Sequence, residues 1–230
     1  IFFFFFSKGA IESHFDTHSE LETALMDSGK QDILAAVSGI LPRNVECEYV
    51  LQGQPLGLGH AVLCARELVG NEPFFVHLPD DMILAERGCL AQLADLYQRT
   101  GSSAIAVETI PPEKTRSYGV AAVNDENRIL RIVEKPKPED APSNLGVVGR
   151  YLLTPAVFTK LETTGRGSGG EIQLTDGIAA LMDDEPVYVL PFRGVRYDCG
   201  DKLGYLKANI DYALQRPELA AGLRAHLSTL

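Results

Sequence analysis

Short apolar runs of strand length alternate with stretches of helical period through the first half of this chain, and that alternation most narrows the folds open to it. Residues 45–51 (VECEYVL), 74–78 (FFVHL) and 102–109 (SSAIAVET) predict strands, and residues 11–28, 60–69 and 88–100 predict helices. Strand, helix and strand in repetition is the pattern of βαβ units, whose crossovers lay strands parallel and cover a sheet with helices. Past residue 110 the predicted strands are shorter, at 118–123, 129–134, 147–153 and 187–191. Loops rich in Pro and Gly separate them, with a helix over 171–182 and two more from 202 onward. The fold class expected is α/β: a Rossmann-like mixed, mostly parallel sheet with helices on both faces. With 230 residues, 45% of them hydrophobic, the chain can bury one full core. No linker divides it, so residues 1–230 read as a single domain. Within 201–230, the helices at 203–214 and 217–227 could supply an oligomer contact.

Charge and cysteine usage exclude several classes of function. Thirty-one acidic residues against 21 basic ones leave a net charge of −10, and the cations are scattered, so nucleic acid is not expected as a partner. An anionic ligand would need a metal ion and a few placed cations to offset the global repulsion. No run approaches the roughly 18 apolar residues that span a bilayer, and no membrane partner is expected. The four cysteines, Cys47, Cys64, Cys89 and Cys199, lie far apart without a CxxC spacing, which suits reduced thiols in a cytoplasmic protein. The chain opens on IFFFFF, inside what reads as a buried strand and without a Met, so it reads as a fragment lacking an upstream strand, loop and helix.

Three segments hold the candidate chemistry. LQGQPLGLGHA, residues 51–61, joins a strand to a helix but fits neither GxxxxGK[ST] nor GxGxxG, so on its own a tight turn is the plainer reading. Gln52 at its start adds an amide, donor and acceptor together, which matches the edge of a pyrimidine base. FFVHLPDDMIL puts Asp80 and Asp81 just past a buried-type strand, where ligands bind in open α/β sheets and where hard oxygen ligands suit Mg2+. A capping or turn pair remains open there. YDCG, residues 197–200, offers a second carboxylate, Asp198. RIVEKP ends a strand on Glu134 and Lys135 before Pro136, an acid and a cation able to hold a polyol and a phosphate side by side, though on its own a solvated loop is the favoured reading. His14 and His18 lack the Glu of HExxH and read as solvent-facing, and GRGSGG lacks the first glycine of GxSxG and reads as a loop.

Taken in order, SKGAIESHFD, QGQPLGLGHAV, LPDD, SYGV, VEKP with PSNLGVVGRY, GEIQLTD and YDCGDKLGY resemble the bacterial UTP:glucose-1-phosphate uridylyltransferases, sugar nucleotidyltransferases, over nearly the whole chain. The resemblance implies the nucleotide-diphospho-sugar transferase fold, with UTP and glucose 1-phosphate as substrates, UDP-glucose and pyrophosphate as products, and a homodimer or homotetramer. It implies that Gln52 reads the uracil and that Gly57 lets the chain approach the base. Asp80 and Asp198 would hold Mg2+. Tyr118, Gly119, Glu134 and Val147 would line the glucose, and Lys135 would meet the sugar phosphate. Asp80, Lys135 and Asp198 are thus the catalytic candidates. The family carries a GxGTR segment and a PK pair upstream of anything present here. A chain truly starting at Ile1 would be expected to bind poorly and hardly react. The rival readings are transfer of another nucleotide to a sugar phosphate, and a nucleotide-sugar sensor without turnover.

Overall fold

A computed structural model describes residues 2–4, 14–15, 19–42 and 44–230. Apart from His14 and Phe15, the SKGAIESHFD motif lies outside them, as does His18; His14 itself is exposed. Strand β1 (Phe2–Phe4) pairs in parallel with β2 (Tyr49–Leu51), and the helices α1 (Ser19–Asp27) and α2 (Gln31–Ser38) come between them. The chain continues through α3 (Leu58–Cys64), α4 (Arg66–Val69), β3 (Phe74–His77), β4 (Asp81–Leu84), α5 (Cys89–Thr100) and β5 (Ala104–Thr109). A 3-10 stretch at Pro112–Ser117 leads to β6 (Gly119–Val123), β7 (Ile129–Glu134) and β8 (Leu145–Leu153). Then follow α6 (Ala156–Thr163), α7 (Leu174–Leu181), β9 (Tyr188–Pro191), β10 (Val195–Asp198), α8 (Lys202–Leu214) and α9 (Pro217–Leu227).

The main sheet runs β7-β6-β8-β5-β9, with β3 added along β8. It is mixed, with helices on both faces, as the alternation of elements predicts. Its ladder differs in one respect from a mostly parallel sheet. Among the described strands of this sheet only β5 and β9 are hydrogen-bonded in parallel, because β8 inserts antiparallel to β3, β5 and β6. Since β8 opposes each of these, β3, β5, β6 and β9 still point one way, so the common strand direction survives although the hydrogen-bonded neighbours do not.

Why β8 sits at the centre is visible in its sequence, LGVVGRYLL. Val147, Tyr151 and Leu153 join the larger core with Phe158 and Leu161 of α6 and Leu174, Ile178 and Leu181 of α7. Val148 packs with Cys89 and Ala106, and Leu152 with Leu93 and Ala104, on the side of α5. A strand buried on both faces must be apolar nearly throughout. Helix α7 buries positions 174, 178 and 181, the spacing of one helical face, and α5 buries 89 and 93 likewise. Gly101, at φ 64°, closes α5 by donating its N–H to the Tyr97 carbonyl at 2.7 Å.

Four elements go beyond the sequence reading: α2, α6, β4 and β10. The last two matter most for function. They form a separate antiparallel ribbon in which Asp198 lies opposite Asp81 and Tyr197 opposite Met82, which joins two segments more than a hundred residues apart. Among the described residues no helix is long and apolar enough to cross a membrane.

Candidate active site

A cleft of about 370 Å³ opens beside the sheet face that carries Val147, Gly149 and Tyr151. Its walls bring together seven of the nine residues singled out above: Asp80, Tyr118, Gly119, Glu134, Lys135, Val147 and Asp198. Gln52 and Gly57 are not on its wall; they lie in the adjoining 51–61 loop.

The two carboxylates of LPDD have opposite fates. Asp81 is 6% exposed and internally committed: its Oδ2 accepts from the Gly149 N–H at 2.6 Å and its Oδ1 from Arg196 Nε at 2.5 Å. Asp80 is exposed and makes no such side-chain bond among the described residues, while its carbonyl accepts from the Cys199 N–H at 2.7 Å. That bond ties the LPDD turn to the YDCG turn. Asp198, its side chain 43% exposed, accepts from the Gly200 N–H at 3.1 Å through Oδ1. A methyl group built on Gly200 would stand 3.1 Å from Asp198 Oδ1 and 3.6 Å from Asp80 Oδ2, so both carboxylates flank one point in space. Among the described residues no three His, Cys, Asp or Glu side chains gather into a closed metal cage. Two exposed hard oxygen donors, with open positions left for water and phosphate oxygens, are the donor set Mg2+ accepts.

The VEKP turn lines the same cleft. Glu134, at the end of β7, accepts from Thr175 Oγ1 at 2.7 Å, and its other oxygen lies 3.6 Å from Lys135 Nζ. Lys135 is held at φ 46°, a left-handed conformation that costs a non-glycine residue on the order of 1 kcal/mol or more. The turn is pinned on both sides: the Lys135 N–H donates to the Tyr118 carbonyl at 2.9 Å and the Pro136 carbonyl accepts from Thr115 Oγ1 at 3.1 Å. Gly119 faces the Thr175–Glu134 pair, where a Cβ would come within 3.1 and 3.2 Å of the bonded oxygens.

Arg196 joins the two sides. Its guanidinium, 8% exposed, reaches Asp81, Glu108 Oε1 at 2.7 Å, Tyr118 Oη at 3.0 Å and Asp198 Oδ2 at 3.7 Å. Desolvation opposes its charge, but Tyr118 and Asp81 together outweigh it, and its pKa is driven above the ordinary value. Burial pushes the Arg150 pKa down instead, with the opposing pull of Asp81 too weak to restore it. Arg150 donates to the Leu78, Gly149 and Asp81 carbonyls.

The profile of the Nucleotidyl transferase family matches residues 9–215. The UTP–glucose-1-phosphate uridylyltransferase of Staphylococcus epidermidis is 44% identical over 227 residues, spanning 97% of this chain and 78% of that protein. The chain belongs to the UTP–glucose-1-phosphate uridylyltransferase family. Among solved structures of these uridylyltransferases, a UDP-glucose pyrophosphorylase from Acinetobacter baumanii superposes with a TM-score of 0.87 at 38% identity, covering all of this chain and 83% of that one. A UTP-bound UGPase from Acinetobacter baumannii gives 0.85 at 39% identity with the same coverage.

Sequence reasoning within the uridylyltransferase pattern missed Arg196 and Thr175 as site residues. A signal for Arg196 was present in VRYD, since alternate residues of a strand share a face and Arg196 stands two before Asp198. Thr175 lies inside GEIQLTD, but nothing in that motif says its hydroxyl meets Glu134.

Proposed function

We propose that this protein makes UDP-glucose and pyrophosphate from UTP and glucose 1-phosphate in the cleft between the LPDD–YDCG turns and the VEKP turn. The observation that carries the reading is the approach of Asp80 and Asp198, from distant segments, to one point in the cleft that Glu134 and Lys135 also line. A phosphate oxygen of glucose 1-phosphate attacks the α-phosphorus of UTP, the bond to the β-phosphate oxygen breaks, and pyrophosphate leaves. That nucleophile is ionised at neutral pH, so the chain supplies no general base; catalysis is positioning and charge neutralisation.

Glu134 accepts hydroxyls of the glucose, with Gly119 and Val147 shaping the wall and Tyr118 packing near it. Lys135, whose Nζ lies 3.6 Å from Glu134 Oε1, faces the sugar phosphate beside the hydroxyls that Glu134 takes. Gln52 and Gly57 take the uracil. Asp80 and Asp198 would hold Mg2+, which when bound offsets the negative charge of the two phosphate groups being brought together. Arg196 holds Asp198 and Tyr118 in place. The protein works in the cytoplasm, and as a homodimer or homotetramer; exposed Leu203, Tyr205, Leu206 and Leu219 on α8 and α9 support an oligomer contact there.

Pyrophosphate release from UTP with glucose 1-phosphate and Mg2+, with UDP-glucose identified as the second product, tests the reading. Faster turnover with dTTP or ATP would replace UTP as the donor. Binding of UDP-glucose without turnover would make the protein a sensor.

A further inference from the structure

We propose that His60 is a positioning residue for base selection, fixing the Gln52 side chain so that its oxygen, and not its nitrogen, faces the base edge. The inference rests on Gln52 being the uracil reader. Gln52 is 8% exposed, at the end of β2, and its Nε2 lies 3.1 Å from the Gly57 carbonyl and 3.0 Å from His60 Nδ1.

The donor directions follow from inventory alone. A backbone carbonyl can only accept, so the amide group beside Gly57 must be the NH2 end. An NH2 group can only donate, so its second hydrogen goes to His60 Nδ1, which must therefore be bare. The ring proton is then on Nε2. Both amide hydrogens are then used within the loop, and Oε1 is left without a hydrogen-bond partner among the described residues.

An amide so fixed presents an acceptor only. Uracil carries a donor at N3–H and is accepted; cytosine has a bare acceptor at N3 and meets oxygen against nitrogen. The scaffold for this is local. His60 sits in the first turn of α3, where the Gly59 N–H donates to the Ile172 carbonyl at 2.9 Å and the Ile172 N–H to the Leu56 carbonyl at 2.7 Å, docking the loop on the GEIQ segment. The Cys64 sulfur, one turn on, lies 3.9 Å from each ring nitrogen and walls the imidazole in. It is a weak partner that leaves Nδ1 to Gln52.

Three preparations test this: the protein itself, His60→Leu, which removes the acceptor, and His60→Asn, whose side-chain oxygen can take the place of Nδ1. Long-range proton–nitrogen NMR of the unmodified protein should show His60 protonated on Nε2 with Nδ1 bare; a proton on Nδ1 overturns the proposal. In pyrophosphate release assays, His60→Leu should raise KM for UTP about fivefold, one hydrogen bond's worth, with kcat for UTP held. It should narrow the preference for UTP over CTP by a similar factor, and His60→Asn should restore both. Unchanged selectivity in His60→Leu, or an equal loss in both variants, would refute the role. Should the unmodified protein release no pyrophosphate, the function proposed above fails, while the NMR result still decides the tautomer.

Discussion

Thr175→Val is the substitution that most sharply tests how the sugar side of the cleft works. Valine keeps the branched shape and replaces the Oγ1 hydroxyl, buried at 6% exposure, with a methyl group. What is lost is one 2.7 Å hydrogen bond from that hydroxyl to Glu134 Oε2. Hydrogen bonds to a charged group are worth about 1.5–3 kcal/mol. The Glu134 side chain is 12% exposed and keeps Lys135 3.6 Å away, so water and that cation recover part of the loss. The low end applies, about 1.5 kcal/mol, roughly tenfold. The expected outcome is a tenfold rise in KM for glucose 1-phosphate, with KM for UTP unchanged and with Thr175→Ser close to the parent. Initial rates of pyrophosphate release at varied sugar phosphate and saturating UTP measure it. A fall in melting temperature with no change in sugar phosphate KM would refute the positioning argument, and so would an equal rise in both KM values.

Other substitutions probe the framework. Asp81→Asn breaks the buried pair with Arg196; breaking such pairs costs about 3–5 kcal/mol, and because Glu108 still holds the guanidinium we expect the low end, a melting temperature lower by roughly 10 °C. Gly57→Ala places a Cβ at φ 102°, 2.7 Å from Glu171 Cβ and 2.8 Å from the Ile172 carbonyl, so the loop must leave its dock and KM for UTP should rise more than tenfold, about 1.4 kcal/mol; a parent-like KM would mean that the loop does not read the base. The Cys89 thiol, 5% exposed, is pushed up to about 11 from 9.0 by burial. The unfolded thiol ionises first, so its contribution of about 2.7 kcal/mol is fully present below pH 9 and lost as pH rises through 11. Cys89→Ala should therefore flatten the fall of melting temperature between those two pH values.

What could be read from the chain and what could not divide along physical lines. Glu134 and Lys135 drew notice because Pro136 ends the strand beside them, but residue type alone favoured a solvated loop, and only the family resemblance assigned them to a sugar phosphate. By residue type Asp80 and Asp81 were not distinguishable, since neighbouring carboxylates look alike; the family resemblance alone picked Asp80, and the physical reason, Asp81 drawn inward by the Gly149 N–H and Arg196, appears only in the structure. The pairing of β8 was equally hidden, since a strand buried on both faces has the same apolar run whether its neighbours are parallel or antiparallel. The β4–β10 ribbon was missed because four-residue strands such as DMIL and VRYD are too short to show a period. Yet that ribbon is what brings Asp198 to Asp80.

The account turns on Asp80 and Asp198 serving one ion and one reaction. Turnover of UTP with glucose 1-phosphate should be measured in Asp80→Asn, Asp198→Asn and the double variant, with melting temperatures confirming the fold. Two ligands of a single ion act as a unit, so each single change is expected to lose nearly as much turnover as both together. Near-normal turnover in Asp80→Asn, or losses that simply multiply in the double variant, would contradict it.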